Sequence, residues 1–225
     1  GITFHSPSAG PRTSTRPSAS VSRAVSKEER ASMTLTPASA ATASGPVTIF
    51  DARSPLPKIS VRRAITAAST MLLFMRYADR VKIGCMTGGL GALAVTSREH
   101  VWRSASYYPF TQLIRYGRGV SLMPSVECDT YDIPGYANSD FRQYDTHKGV
   151  PYIEAAAAYD EANGEINIFV INRKLEQDTT LELDVRGFEG YGFEGHIQLY
   201  SDDIDAANSY EHPDAIVPSV HSGAR

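Results

Sequence analysis

The residues whose types and spacing could do chemistry are few and scattered. Asp202-Asp203-Ile204-Asp205 places three carboxylates within four positions, a density that could attract a calcium ion. The stretch lacks the glycine and terminal glutamate of the helix-loop-helix calcium pattern, so a solvated acidic turn is expected. Gly89-x-Gly91-x-x-Ala94 follows the apolar run Val81-Lys82-Ile83-Gly84-Cys85-Met86 with the spacing of a dinucleotide-binding turn, where glycines let a pyrophosphate approach a helix N-terminus. No second strand completes that unit and no acidic residue ends one about 20 residues on, so a flexible loop is expected instead. Glu194 and His196 alternate onto one strand face, and Asp129 could pair with Asp132 across a turn, but neither pair has a nucleophile or oxyanion donor beside it. Cys85 and Cys128 have no metal or redox spacing and are expected to be buried free thiols. On these residues no catalytic, substrate-binding or metal-ligating position is assigned, and no cofactor.

The elements that would carry such residues fit into a chain of 225 residues, 42% hydrophobic, enough to bury one ordinary core and part of a second. A net charge of −3 gives no electrostatic case for nucleic acid or an anionic membrane as partner. No apolar run approaches the ~20 residues of a membrane span, and the first residues show no signal segment, so the chain reads as soluble and its compartment is left open.

Residues 150–185 read as three consecutive antiparallel strands. Ile153, Ala155, Ala157 and Tyr159 share a face of the first, and Asn163-Gly164 supplies a turn where glycine can adopt positive φ. Both faces of Ile166-Asn167-Ile168-Phe169-Val170-Ile171 are largely apolar, which predicts cover on two sides, by another sheet or a neighbouring domain. Thr180-Leu181-Glu182-Leu183-Asp184-Val185 alternates as a strand with one wet face. Upstream, Ile65, Ala68, Leu72 and Met75 recur at helical period from Ala64 to a helix end near Ala78. A short buried strand over 81–86 and a loop Thr87-Gly88-Gly89-Leu90-Gly91 follow, then a helix near 111–116, introduced by Tyr107-Tyr108-Pro109-Phe110 and stopped by Gly117 and Gly119. Strands are expected at 120–128 and, last, at 193–200. Residues before about Pro57 are Ser-, Thr-, Ala- and Pro-rich, offer little apolar burial, and are expected to be disordered, with Lys27-Glu28-Glu29-Arg30 a solvated charge cluster and Val47-Thr48-Ile49-Phe50 the one strand-like fragment.

Several ordered motifs within residues 64–220 carry a resemblance. Arg76-Tyr77-Ala78-Asp79-Arg80-Val81-Lys82-Ile83-Gly84-Cys85, Trp102-Arg103, Tyr107-Tyr108-Pro109-Phe110 and Tyr116-Gly117-Arg118-Gly119 resemble the C-terminal part of the α-L-arabinofuranosidases of glycoside hydrolase family 51. So do Val150-Pro151-Tyr152-Ile153-Glu154, Ile168-Phe169-Val170-Ile171-Asn172-Arg173, Arg186-Gly187-Phe188-Glu189-Gly190-Tyr191 and Ala207-Asn208-Ser209-Tyr210. The resemblance implies a mainly β chain: a C-terminal jelly-roll-like β-sandwich (residues 119–225, lacking its last strand), preceded by the last β/α unit of an incomplete (β/α)8 barrel (residues 60–118) and a disordered, unrelated or mis-joined segment (residues 1–59). Arabinose-containing glycans are the partners it implies.

A retaining glycosidase needs two carboxyl groups about 5–5.5 Å apart. In the family these are glutamates of an Asn-Glu pair and a Phe-Asp-Glu-Trp-like stretch, and neither motif is found here. Ile49-Phe50-Asp51-Ala52 comes nearest, with Ala52 in the glutamate's place, and Thr87-Gly88-Gly89-Leu90-Gly91 replaces the family's Ala-Gln-Leu-Val-Asn-like loop. Two readings follow: a fragment of an α-L-arabinofuranosidase, itself inactive, or a non-catalytic β-sandwich with a structural or carbohydrate-contacting role. With nothing strand-like after Ala215-Ile216-Val217-Pro218, and with Ile65, Leu72, Leu73, Phe74 and Met75 uncovered by barrel neighbours, self-association is also expected.

Overall fold

The computed structural model describes residues 2–5, 30–37, 59–86, 94–96, 100–137, 143–175 and 177–222. Its centre is the expected hairpin: β10 (Ile153–Asp160) pairs antiparallel with β11 (Glu165–Asn172) over all eight positions, from Ile153 opposite Asn172 to Asp160 opposite Glu165. Gly164 closes the turn at φ 65°, and the Asp160 carboxylate accepts from the backbone N–H groups of Ala162 and Asn163.

Around that hairpin the chain builds an eight-stranded sheet. Its other members are β1 (Ile2–His5), β2 (Arg30–Pro37), β5 (Val120–Glu127), β12 (Thr180–Asp184), β13 (Gly192–Gln198) and β14 (Ser219–Ser222). The order is β12-β2-β5-β10-β11-β1-β13-β14, antiparallel throughout except for the parallel β12–β2 pair. Three two-stranded ribbons lie outside it: β3 (Ala94–Thr96) with β4 (Val101–Arg103), β6 (Thr130–Ile133) with β9 (His147–Pro151), and β7 (Tyr136–Ala137) with β8 (Gln143–Tyr144). Two helices complete the described chain, α1 (Val61–Arg76) and α2 (Tyr107–Tyr116).

The expected cover on two sides of β11 is present. On one face Ala155, Ala157, Ile166 and Ile168 form a core with Leu122, over which Leu183, Val185, Phe188 and Tyr191 fold from the distant edge of the sheet. On the other, Ala156, Phe169 and Ile171 pack against Leu72 of α1, with Ile65, Ala68, Met75, Leu113 and Tyr116 around them. The run Ala155 to Ala158 is at most 1% exposed, and its small side chains let a helix sit close to the strand on one side while the core closes on the other.

Five expectations are corrected. The third arm, β12, does not pair with β11; it lies at the far edge beside β2, since a strand belonging to a folded-over sheet need not neighbour its predecessor. Residues 81–86 form no strand: Ile83 is 84% exposed and Cys85 is exposed rather than buried, because a lone barrel-type strand has no described neighbour to exchange hydrogen bonds with. Within the segment read as disordered, 2–5 and 30–37 are strands, filling the positions beside β11 and β5 that would otherwise present unpaired N–H and C=O groups. A strand, β14, does follow Ala215-Ile216-Val217-Pro218 and pairs with β13. Finally, the apolar face of α1 is covered: Leu72 is 1% exposed against the sheet, and Leu73, at 42%, is the member left in water. Val47-Thr48-Ile49-Phe50, Asp51, Ala52 and the loop Thr87-Gly88-Gly89-Leu90-Gly91 lie outside the described residues.

Candidate functional site

A cleft of about 780 Å³ opens where α1, the β6–β9 ribbon and the connection after β11 converge. A ladder of backbone bonds sets its walls: Tyr152 N–H donates to Asp129 C=O (3.0 Å), and Arg173 N–H donates to Tyr152 C=O (2.8 Å). The first extends the pairing of β6 with β9 and the second that of β10 with β11, and Tyr131 of β6 comes against Tyr152, ring centroids 4.7 Å apart. Lys174 lies over the Tyr152 ring and pairs with Asp129 at 3.1 Å. Leu175 and Gln177 continue the wall, and Arg62, Ile65 and Thr66 of α1 with Ile204 form the opposite one.

The helix is held at this rim by tertiary contacts. Ser60 makes no side-chain cap; instead Val61 N–H and Arg62 N–H donate to Ala206 C=O (3.0 Å) and Ile204 C=O (2.8 Å), satisfying two of the donors left over at a helix start. Arg62 also grips Asp205 through two nitrogens, which raises the guanidinium pKa and lowers that of the carboxyl.

Behind the cleft lies Glu154, a buried carboxylate on the helix-facing side of β10. Arg173 binds it directly, Arg76 approaches to 3.8 Å, and the same Arg173 donates to Ser69 Oγ (3.1 Å) and Pro151 C=O (3.1 Å). One guanidinium therefore ties strand, helix and ribbon together, with the buried carboxylate as its anchor.

The residues singled out in the sequence are not brought together. Asp129 bonds Lys174, whereas Asp132 accepts from Gly149 N–H (2.9 Å). Asp203 accepts from Asp205 N–H, Asp205 holds Arg62, and Asp202 accepts from the Tyr200 hydroxyl, whose pKa it raises. Glu194 is exposed, while His196 stacks on His221 at 4.6 Å; burial and that neighbouring ring lower its pKa. Cys128 is half-buried with its Sγ 3.9 Å from Ile153 C=O. Among the described residues no three His, Cys, Asp or Glu side chains converge as metal ligands. Sequence reasoning gave no role to Tyr131, Tyr152, Arg173 or Lys174; Tyr152-Ile153-Glu154 and Asn172-Arg173 stood inside resemblance motifs, but their meeting depends on the register of β10 and β11.

A second cluster accounts for another of those motifs. The Asn208 amide donates to Arg103 C=O (3.1 Å) and Ile216 C=O (3.0 Å) and accepts from Ile216 N–H (2.6 Å), while Trp102 Nε1 donates to Asn208 C=O (3.1 Å). This clamp closes over Val61, Ala64, Ala105 and Ile216.

Compared with known families, residues 51–225 match the family model of the α-L-arabinofuranosidase C-terminal domain. The chain belongs to that family. The match begins at residue 51, ahead of the resemblance over residues 64–220, and so enters the segment 1–59 expected to be disordered, unrelated or mis-joined. The chain is 33% identical over 164 residues to the intracellular exo-α-(1→5)-L-arabinofuranosidase 1 of Bacillus subtilis (strain 168), covering 72% of this chain and 30% of that protein. It is also 33% identical over 150 residues to the intracellular exo-α-(1→5)-L-arabinofuranosidase of Acetivibrio thermocellus, covering 65% of this chain and 28% of that one. The fold resembles the GH51 α-L-arabinofuranosidase of Thermotoga petrophila RKU-1 with a TM-score of 0.65 at 21% identity, over 75% of this chain and 35% of that structure. The chain thus spans under a third of the length of these curated relatives.

Proposed function

We propose that this polypeptide is the C-terminal part of an α-L-arabinofuranosidase, contributing a jelly-roll-like β-sandwich (residues 119–225) and the last unit of a (β/α)8 barrel (residues 60–118), and that by itself it does not hydrolyse glycosides. The family match over residues 51–225 carries the reading. In the whole protein the substrates would be arabinose-containing glycans, as the relatives' names suggest, and the sandwich would serve as a support packed on the barrel. The charge arrangement argues for inactivity. Retaining hydrolysis needs two carboxyl groups about 5–5.5 Å apart across the substrate, one neutral and one ionised. Among the described residues, Asp129 is the one carboxylate lining the cleft and is tied to Lys174, and Glu154 is enclosed by Arg173 and Arg76. The purified chain, incubated with an aryl α-L-arabinofuranoside, should release no aglycone above a no-enzyme control. Turnover that is abolished by Glu127→Gln or Glu154→Gln would overturn the inactive reading.

The tyrosine-lined cleft favours a second role for the same polypeptide, contact with carbohydrate without hydrolysis.

A further inference from the structure

We propose that the cleft between α1 and the β6–β9 ribbon is a non-catalytic binding site for a neutral oligosaccharide, with an arabinofuranosyl chain as its ligand. The choice of sugar rests on the proposed function; the site itself rests on the geometry of the cleft.

Its size suits a short oligomer, since clefts that take small ligands run from about 300 to 1,000 Å³. Among the described residues its charges are paired. The three cations on its walls, Arg62, Arg173 and Lys174, each contact a carboxylate, those of Asp205, Glu154 and Asp129 respectively. An anionic ligand would have to displace one of these partners, and among the described residues a cationic one would meet no spare carboxylate on the walls. A neutral, hydroxyl-rich molecule avoids both costs, because carboxylates and guanidinium groups already in ion pairs keep lone pairs and protons for hydroxyl partners. Aromatic surface supplies the rest. Tyr131 and Tyr152 are both half-buried and stand together on one wall; the Tyr152 ring is packed by Tyr131 and Lys174, so Tyr131 offers the ring surface to the C–H faces of a sugar and both tyrosines offer phenol groups to its hydroxyls. Opposite them Thr66 and Arg62 are exposed on α1, and Gln177 is exposed beyond Leu175, so polar groups reach the cleft from two sides. The walls are preorganised: the ladder Asp129–Tyr152–Arg173 fixes the tyrosine side, and the capping of α1 by residues 204 and 206 fixes the other.

The test is titration of the full chain with arabinotriose and, in parallel, xylotriose, followed by isothermal calorimetry and by saturation-transfer NMR. Arabinotriose should bind saturably in the millimolar range or tighter, with an affinity that changes less than twofold when salt is raised, as expected for an uncharged ligand. Tyr131→Ala should weaken binding at least tenfold. Thr66→Arg should do the same, because it projects a long cationic side chain into the cleft from an exposed helix position where arginine is a good helix former, so loss of folding is not at issue. Failure of both sugars to bind, or binding that neither variant weakens, would overturn the site. Xylotriose binding sensitive to both variants, with no binding of arabinotriose, would uphold the site and overturn the sugar taken from the family reading.

Discussion

Replacing Asn208 by Ala tests how the chain after β13 is held to the helices. The side chain is buried, 8% exposed, and makes three hydrogen bonds, two of them to the N–H and C=O of Ile216, itself 4% exposed. Truncation leaves both backbone groups of Ile216 without partners in a site lined by Val61, Ala64 and Ala105. Each unsatisfied buried group costs about 1–3 kcal/mol, and water entering the vacated space recovers part of that, so about 3 kcal/mol is expected. With a urea dependence of about 2 kcal/mol per M, the midpoint should fall by about 1.5 M. Trp102, the single tryptophan, donates to the Asn208 carbonyl and so reports the clamp by fluorescence, while far-UV circular dichroism follows the sheet. Asn208→Asp keeps the acceptor for Ile216 N–H but turns a carboxylate toward two carbonyls, and should be at least as damaging at neutral pH. A midpoint shift below about 0.3 M in the fluorescence transition of Asn208→Ala would show that the three bonds are replaced by solvent without cost and would refute the argument.

Glu154→Gln should destabilise the chain by about 2–3 kcal/mol in urea unfolding, at the low end for a broken buried ion pair because Arg76 is 35% exposed and can turn to water; an unchanged midpoint would sink the view that this carboxylate binds helix to sheet. Deleting residues 1–118 removes the helix face expected to drive self-association, yet it also strips Leu72 from Ala156, Phe169 and Ile171. Light scattering should therefore show the 119–225 chain aggregating more than the full chain, and a monodisperse truncated chain would count against that packing. The lowered pKa of His196 means that the unfolded chain takes up this proton first as pH falls. Its contribution to stability is complete above about 6.5, the ordinary histidine value, and is lost between there and the lower folded value; His196→Gln should flatten that part of the stability–pH curve, and an unchanged slope would remove the histidine stack from consideration.

Local pattern was enough to locate the elements that form by themselves. The alternation and Asn163-Gly164 turn of the central hairpin, the helical period from Ile65 to Met75 and the stop at Gly117 all depend on near neighbours in the chain, and the structure has them. The ordered motifs, each confined to one short stretch, likewise point to the family that residues 51–225 match. What the sequence left open depends on partners distant along the chain. Whether Leu72 meets water or Phe169, and whether β12 pairs with β11 or with a strand some 150 residues earlier, are decided by how the sheet folds over. The start of α1 is capped by carbonyls more than 140 residues away, which no nearby signal could announce. The cleft follows the same logic: Tyr131, Tyr152, Arg173 and Arg62 come from four separate stretches of chain and become one surface only when the β10–β11 register and the seat of α1 are both fixed. Chemistry confined to one stretch is legible in its spacing; chemistry assembled between stretches is created by the packing that brings them together.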